Sequence, residues 1–258
     1  MMSILKILSN TREGLPEFSD LLLFVYRWSV VVPVLVVSTF LTASTCIVLS
    51  LVGLPRLANQ VVARNWARLN AFVSLMEVEV EGADKVVPGE SYVITANHRS
   101  LVDIYLLYGF SGLDVKWVMK KELRAIPIFG LACEKLGHVV VDRSNTAADL
   151  ASMEVARTRF VKGTSIIFFP EGTRSRNNTM LPFKKGAFRM ALNLGASILP
   201  VSIHGTEKIL PSDTTQLVPG KAVLKFHDPI PTTGLTDSDT SLLLERTRAV
   251  LVEALKQE

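Results

Sequence analysis

The sequence predicts an α/β fold: a central, mostly mixed β-sheet flanked by helices, with an N-terminal membrane-embedded helical element ahead of it. Three observations predict this. Residues 21–54 carry one charge, Arg27, in an otherwise apolar or small-polar run. Past about Ser74, strand-like and helix-like segments alternate, the pattern of a sheet covered by helices. Ile166-Ile167-Phe168-Phe169 and Ile198-Leu199-Pro200-Val201 are continuously apolar, as central strands buried on both faces are.

The apolar run comes first. It is too long for a signal-peptide core, and it follows acids (Glu13, Glu17, Asp20) rather than a basic segment. Residues 29–52 as one helix extend about 36 Å, enough to cross a bilayer core. Pro33 and the hydroxyl residues Ser38, Thr39, Thr42, Ser44 and Thr45 allow a second geometry, in which the run breaks into two helices that dip into one leaflet and return. A buried hairpin of a soluble protein is the third. Arg56, Arg64 and Arg68 follow the run without acidic partners in sequence, which places the globular part on the cytoplasmic side. The expected division is a two-helix anchor over residues 1–70 and an αβ domain over 71–258, seated at the inner (cytoplasmic) membrane.

Strands are expected at Met76–Val80, Tyr92–Ala96, Val115–Met119, His138–Val141, Ser165–Phe169, Leu199–Ile203 and Val223–Phe226. Helices are expected at 101–110, 123–136, 146–161, 184–194 and 238–256. Composition narrows the function. The net charge of +4 suits an anionic membrane surface or phosphorylated ligands. No arginine-rich arm or RNA-binding aromatic signature is present, which argues against nucleic acid. Two cysteines, Cys46 and Cys133, make neither a disulfide framework nor a metal spacing, and four scattered histidines include no HExxH. No metal or other cofactor is expected.

The chemistry concentrates in Asn97-His98-Arg99-Ser100-Leu101-Val102-Asp103, between a strand and a short helix. Histidine takes up a proton near neutral pH, and a carboxylate on its second ring nitrogen fixes the tautomer. Five residues along a regular helix separate two side chains, so the pair requires His98 in the turn and Asp103 inside the helix. Ser100 is a candidate N-cap. Without the pairing, His98 is a loop residue and Asp103 a first-turn acid favoured by the helix dipole.

Phe169-Pro170-Glu171-Gly172-Thr173-Arg174-Ser175 follows the most hydrophobic strand, where α/β folds place their sites. Glu171 can accept a hydroxyl, and Arg174 can fork two phosphate oxygens. The plain alternative is a turn with a surface Glu–Arg pair. Lys120–Gly130 couples the cations Lys120, Lys121 and Arg124 to Ile126 and Phe129, which reads as a phosphate or membrane contact or simply as a packed basic helix start. Lys184, Lys185 and Arg189 read as a solvated face, and His204 as structural.

Taken in order, these blocks resemble the bacterial 1-acylglycerol-3-phosphate acyltransferase (PlsC-type) family. Asn97–Asp103 matches its NHxxxxD motif, Phe169–Ser175 its FPEGTRS block, Lys120–Gly130 its second block and Leu199–Ile203 its proline-containing fourth. The resemblance covers roughly residues 75–230. It implies a glycerolipid acyltransferase-like fold, with acyl transfer from acyl-CoA or acyl-carrier protein to the sn-2 hydroxyl of lysophosphatidic acid, giving phosphatidic acid. It implies His98 as base with Asp103 as partner, Glu171, Gly172, Thr173 and Arg174 at the acceptor, and Lys120 and Arg124 as phosphate contacts. Backbone N–H groups near Gly172 are candidates for the oxyanion. A hydroxyl acceptor needs a base and a thioester donor needs no protein nucleophile, so a ternary complex without an acyl-enzyme is expected. Ser100 lacks nucleophile-elbow glycines. Rivals are a sibling transferase for glycerol-3-phosphate, a lyso-ornithine lipid or another lysophospholipid, an acyl thioesterase or lipase, and a non-catalytic lipid-binding module.

Overall fold

The computed structural model describes residues 16–141, 154, 157–176 and 179–256. The expected helix at 146–161 lies largely outside them. The chain starts with α1 (Pro16–Tyr26), a π-helical turn (Arg27–Val31) and α2 (Val32–Leu51). These form one continuous helical run, of which Asp20–Leu51 is 32 residues long. At about 48 Å it exceeds the roughly 30 Å hydrocarbon core of a bilayer. It is long and apolar enough to cross a membrane.

The run does not break at Pro33. The Val32 N–H bonds back to the Arg27 carbonyl, a five-residue step just ahead of the proline. That wider turn makes room for the ring, so the helix continues. The chain reverses at Gly53 instead, whose φ of +81° belongs to glycine. The return limb is α3 (Pro55–Leu57), a second π-helical segment (Ala58–Ala63) and α4 (Arg64–Val73). The hydroxyls that suggested a break hold the two limbs together. Trp66 Nε1 donates to Thr39 Oγ1 at 3.0 Å, and Asn70 Nδ2 donates to Ser38 Oγ at 3.2 Å. The opposite face is apolar and exposed at Leu22, Phe24, Val36, Val37, Phe40, Leu41, Val48 and Leu51. Arg64 and Arg68 are not free surface charges. They donate to the carbonyls of Leu113 and Gly109 at 2.9 and 2.7 Å and so tie the hairpin to the rest of the molecule.

The strands are β1 (Met76–Glu81), β2 (Val93–Ala96), β3 (Asp114–Lys120), β4 (Val139–Val141), β5 (Thr164–Phe168), β6 (Ile198–His204) and β7 (Gly220–Phe226). Their order in the sheet is β1-β7-β6-β2-β5-β3-β4. All neighbours are parallel except β6 and β7. β2, β5 and β6 sit at the centre, and their apolar side chains are almost wholly buried. At the edge, β1 alternates Glu77, Glu79 and Glu81 with apolar residues. Lys221 and Lys225 of β7 pair with Glu79 and Glu81, which keeps a charged rim on an edge that would otherwise recruit strands.

Further helices are α5 (Asp103–Phe110), α6 (Lys121–Arg124), α7 (Phe129–Lys135), α8 (Gly186–Leu194), α9 (Thr206–Ile209) and α10 (Thr240–Lys256). The helix expected at 123–136 is split. Pro127 disfavours helical geometry at Ile126, and Ile128 takes φ +64°. The chain then folds so tightly that a Cβ on Gly130 would lie 2.1 Å from the Arg124 carbonyl oxygen, which only glycine allows.

Candidate active site

β2, β3, β5 and β6 are parallel, so their C-terminal ends share one side of the sheet, where α/β folds place ligands. The loops after β2, β3 and β5 carry the three motif blocks. Asn97 fixes the first. Its side-chain amide donates to the Ile203 carbonyl and accepts from the Ile203 N–H, both at 2.8 Å, extending the β2–β6 ladder by one peptide-like pair.

The turn then delivers His98 to Asp103. Nδ1 of His98 lies 2.7 Å from Asp103 Oδ2, and the backbone N–H groups of Arg99 and Ser100 donate to the same oxygen at 2.8 and 2.9 Å. The Asp103 carboxylate is wholly buried at the first turn of α5. It therefore organises the turn itself, and Ser100 is not the N-cap. Ser100 Oγ instead donates to the Leu210 carbonyl at 2.6 Å. With a carboxylate on Nδ1, the proton sits there and Nε2 is left as the basic nitrogen. The ring stacks on Phe169, centroid to centroid 3.9 Å, which fixes its plane.

The block after β5 closes on the first through Glu171. One oxygen accepts the His98 N–H at 3.0 Å and the other the Leu181 N–H at 2.8 Å. Ser175 N–H donates to the His98 carbonyl at 2.9 Å. Burial pushes the Glu171 carboxyl above its ordinary pKa, opposed by those two backbone donors. Both Glu171 oxygens thus brace the backbone of the site, and Glu171 does not stand among the residues that line the cavity beside His98. Gly172 has φ +76°, and a Cβ there would meet the Lys184 side chain at 2.8 Å. Its own N–H donates to the Phe169 carbonyl at 3.0 Å. Lys184, read from sequence as a solvated cation, lies against this loop; the constraint at Gly172 is the signal that finds it.

A cavity of about 630 Å³ opens beside His98. Lys120, Gly172, Thr173 and Arg174 stand with His98 on its wall. Arg124 does not; its guanidinium pairs with Glu134 at 3.2 Å on the surface. The remaining wall is mainly apolar, from Leu101, Leu123 and Phe129 inward past Trp117 and Leu136 to Ala43 and Cys46 on the N-terminal hairpin. Two inner groups are polar in name only. Burial pushes the Cys133 thiol up to about 12, so it stays protonated. His138 accepts the Trp117 N–H on Nδ1 at 3.2 Å, and burial, with Lys116 nearby, lowers its pKa to about 3, so it stays neutral. The protonated Cys133 thiol is no nucleophile at neutral pH, His138 Nδ1 is engaged by the Trp117 N–H, and Ser100 has no exposed surface.

The sequence profile of the Acyltransferase family matches residues 77–204. Human 1-acyl-sn-glycerol-3-phosphate acyltransferase alpha is 32% identical over 184 residues, covering 70% of this chain and 65% of that protein. A 1-acyl-sn-glycerol-3-phosphate acyltransferase of Chlamydomonas reinhardtii is 33% identical over 178 residues, covering 68% of this chain and 53% of that protein. The matched region thus spans less than two thirds of the length of these curated relatives. The crystal structure of the 1-acyl-sn-glycerophosphate (LPA) acyltransferase PlsC from Thermotoga maritima superposes with a TM-score of 0.77 at 26% identity, over 93% of this chain and 96% of that one. That match includes the hairpin as well as the sheet, so in its profile-matched region and in its fold the chain is similar to PlsC-type acyltransferases.

Proposed function

We propose that the protein transfers a fatty acyl group from an acyl thioester, acyl-CoA or acyl-carrier protein, to the sn-2 hydroxyl of 1-acylglycerol 3-phosphate, forming phosphatidic acid. The observation that carries this reading is the His98–Asp103 pair at the rim of a largely apolar cavity whose same rim bears Arg174 and Lys120. The relatives' names supply the acceptor. The acceptor phosphate meets Arg174 and Lys120, and a fatty chain fills the apolar interior.

His98 Nε2 removes the proton of the acceptor hydroxyl as its oxygen attacks the thioester carbonyl. Asp103 holds Nδ1–H and stabilises the imidazolium. The tetrahedral intermediate collapses, the carbon–sulfur bond breaks, and the thiolate takes the proton from the imidazolium. No acyl-enzyme is formed: the cavity-lining Cys133 is held as a thiol and Ser100 is buried on the Leu210 carbonyl. No cofactor takes part.

We further propose that residues 1–70 anchor the protein in the cytoplasmic membrane with the αβ domain, residues 71–258, on the cytoplasmic side. The exposed apolar face of the α1–α2 run supports membrane association. The anchor also walls the cavity, through Thr39, Ala43 and Cys46, so a lipid chain can pass from the bilayer towards His98. Nucleic acid plays no part. The test is an acceptor panel with labelled acyl donor and products resolved by mass. Acylation of 1-acylglycerol 3-phosphate well above glycerol 3-phosphate, lyso-ornithine lipid and lysophosphodiesters is expected. Preference for another acceptor would overturn the assignment.

A further inference from the structure

Arg174 has an internal partner outside the motif blocks. Asp213 Oδ2 lies 2.7 Å from Arg176 Nε, and its Oδ1 lies 3.9 Å from Arg174 Nη2. One carboxylate therefore spans two guanidinium groups, one of which lines the cavity. The placement is built. Asp213 sits at φ +63° in the left-handed region, which Asp and Asn tolerate better than most residues. Its loop, between α9 and β7, is fastened at three points. Ser100 Oγ donates to the Leu210 carbonyl at 2.6 Å, and Ser212 Oγ donates to the Arg99 carbonyl at 2.7 Å, both on the catalytic turn. On the other side Arg27, the lone charge of the apolar run, donates to the Thr215 carbonyl.

We propose that Asp213 is the resident anion of the acceptor-phosphate site, occupying Arg174 and Arg176 until the acceptor's phosphate displaces it. This rests on the reading of Arg174 as a phosphate contact. The chemistry favours exchange. At 3.9 Å the Arg174 contact is a loose ion pair rather than a hydrogen bond, so its fork is held near the site without being saturated. A phosphate monoester brings about −1.5 to −2 charges and three acceptor oxygens, against one charge and two oxygens for the carboxylate. Asp213 thus offsets one of the two positive charges in the empty enzyme and sets the anion strength a ligand needs to enter.

The size of the effect follows from exposure. The side chains of Arg176 and Asp213 are 78% and 50% exposed, so water screens the pair. Removing the carboxylate is expected to tighten anion binding about two- to fivefold. Asp213→Asn keeps the shape and the left-handed backbone; Asp213→Gly suits that backbone as well and removes the side chain. For the full chain and both variants in detergent, three quantities are measured: the KM for 1-acylglycerol 3-phosphate, the KM for the acyl donor, and the inorganic phosphate concentration giving half-maximal thermal stabilisation. The acceptor KM and the phosphate midpoint are expected to fall about two- to fivefold in both variants, with the donor KM unchanged. An unchanged or higher acceptor KM and phosphate midpoint would overturn the proposal and make Asp213 an aligner of Arg174. A fallen phosphate midpoint in a protein that never acylates lysophosphatidate would instead overturn the acceptor assignment and leave the anion site standing.

Discussion

His98 and Asp103 are five residues apart, a spacing that keeps side chains separate on a regular helix and joins them across a turn. The structure takes the second course because Asp103 draws the N–H groups of Arg99 and Ser100 onto the oxygen that holds His98. Asp103→Asn therefore loses more than tautomer control, since an amide oxygen is a weaker acceptor for three donors. A kcat loss of at least tenfold is expected, in steady-state assays, with a modest drop in Tm. Arg174→Ala is expected to raise the acceptor KM by roughly ten- to a hundredfold and leave the donor KM nearly unchanged. Lys in its place restores only part, lacking the fork. Equal changes in both KM values would contradict that assignment. The pairing of His98 with Asp103 and the place of Arg174 beside the same cavity were legible from residue type and motif order. The backbone bonds of Glu171 and the pairing of Arg124 with Glu134 were not, because a sequence shows a carboxylate or a guanidinium but not its partners in the fold.

At the scale of elements, the strands were readable because β5 and β6 carry the apolar runs Ile166–Phe168 and Ile198–Val201 and the sequence of β1 alternates strictly. Two helical regions differed from expectation for reasons of backbone chemistry. Pro33 allowed a break, but a π-helical turn absorbs it, and Ser38 and Thr39, hydroxyls that allowed the same break, bond the return limb. Residues 123–136 looked continuous, but the Pro127–Gly130 step folds the chain back on Arg124. Gly130→Ala tests that account. The added methyl would sit 2.1 Å from a carbonyl oxygen, so α6 and α7 must separate. A stability loss of about 1–3 kcal/mol is expected, read as a lower Tm. An unaltered Tm and acceptor KM would show that the step is not constrained there.

Across the whole molecule, two behaviours follow from burial. His138 has its pKa lowered to about 3 by burial, whereas an unfolded histidine titrates near about 6.5. The unfolded chain therefore binds the extra proton between those values. Stability from this group is fully present above about pH 6.5 and is lost as pH falls towards 3. His227, lowered to about 4 by burial, acts in the same direction. His138→Gln is expected to flatten the Tm–pH profile over that window, and an unchanged slope would remove His138 as a source. The second behaviour is retention in the membrane. Salt screens exposed charges beyond about 8 Å at physiological strength, so a protein held by its basic surface alone is washed off. The exposed apolar face of α1 and α2 is expected to survive both salt and alkaline washes, and release by either would contradict an embedded anchor.

The central claim is that His98 activates the acceptor hydroxyl directly, without an acyl-enzyme. Thiol release from acyl-CoA by purified protein tests it most directly, with and without 1-acylglycerol 3-phosphate, for wild type and His98→Ala. Wild type is expected to release thiol only with acceptor, one equivalent per phosphatidic acid formed. His98→Ala is expected to lose about 10²–10⁴ of that rate while keeping its Tm. A burst of thiol without acceptor, or near-normal turnover by folded His98→Ala, would contradict the account.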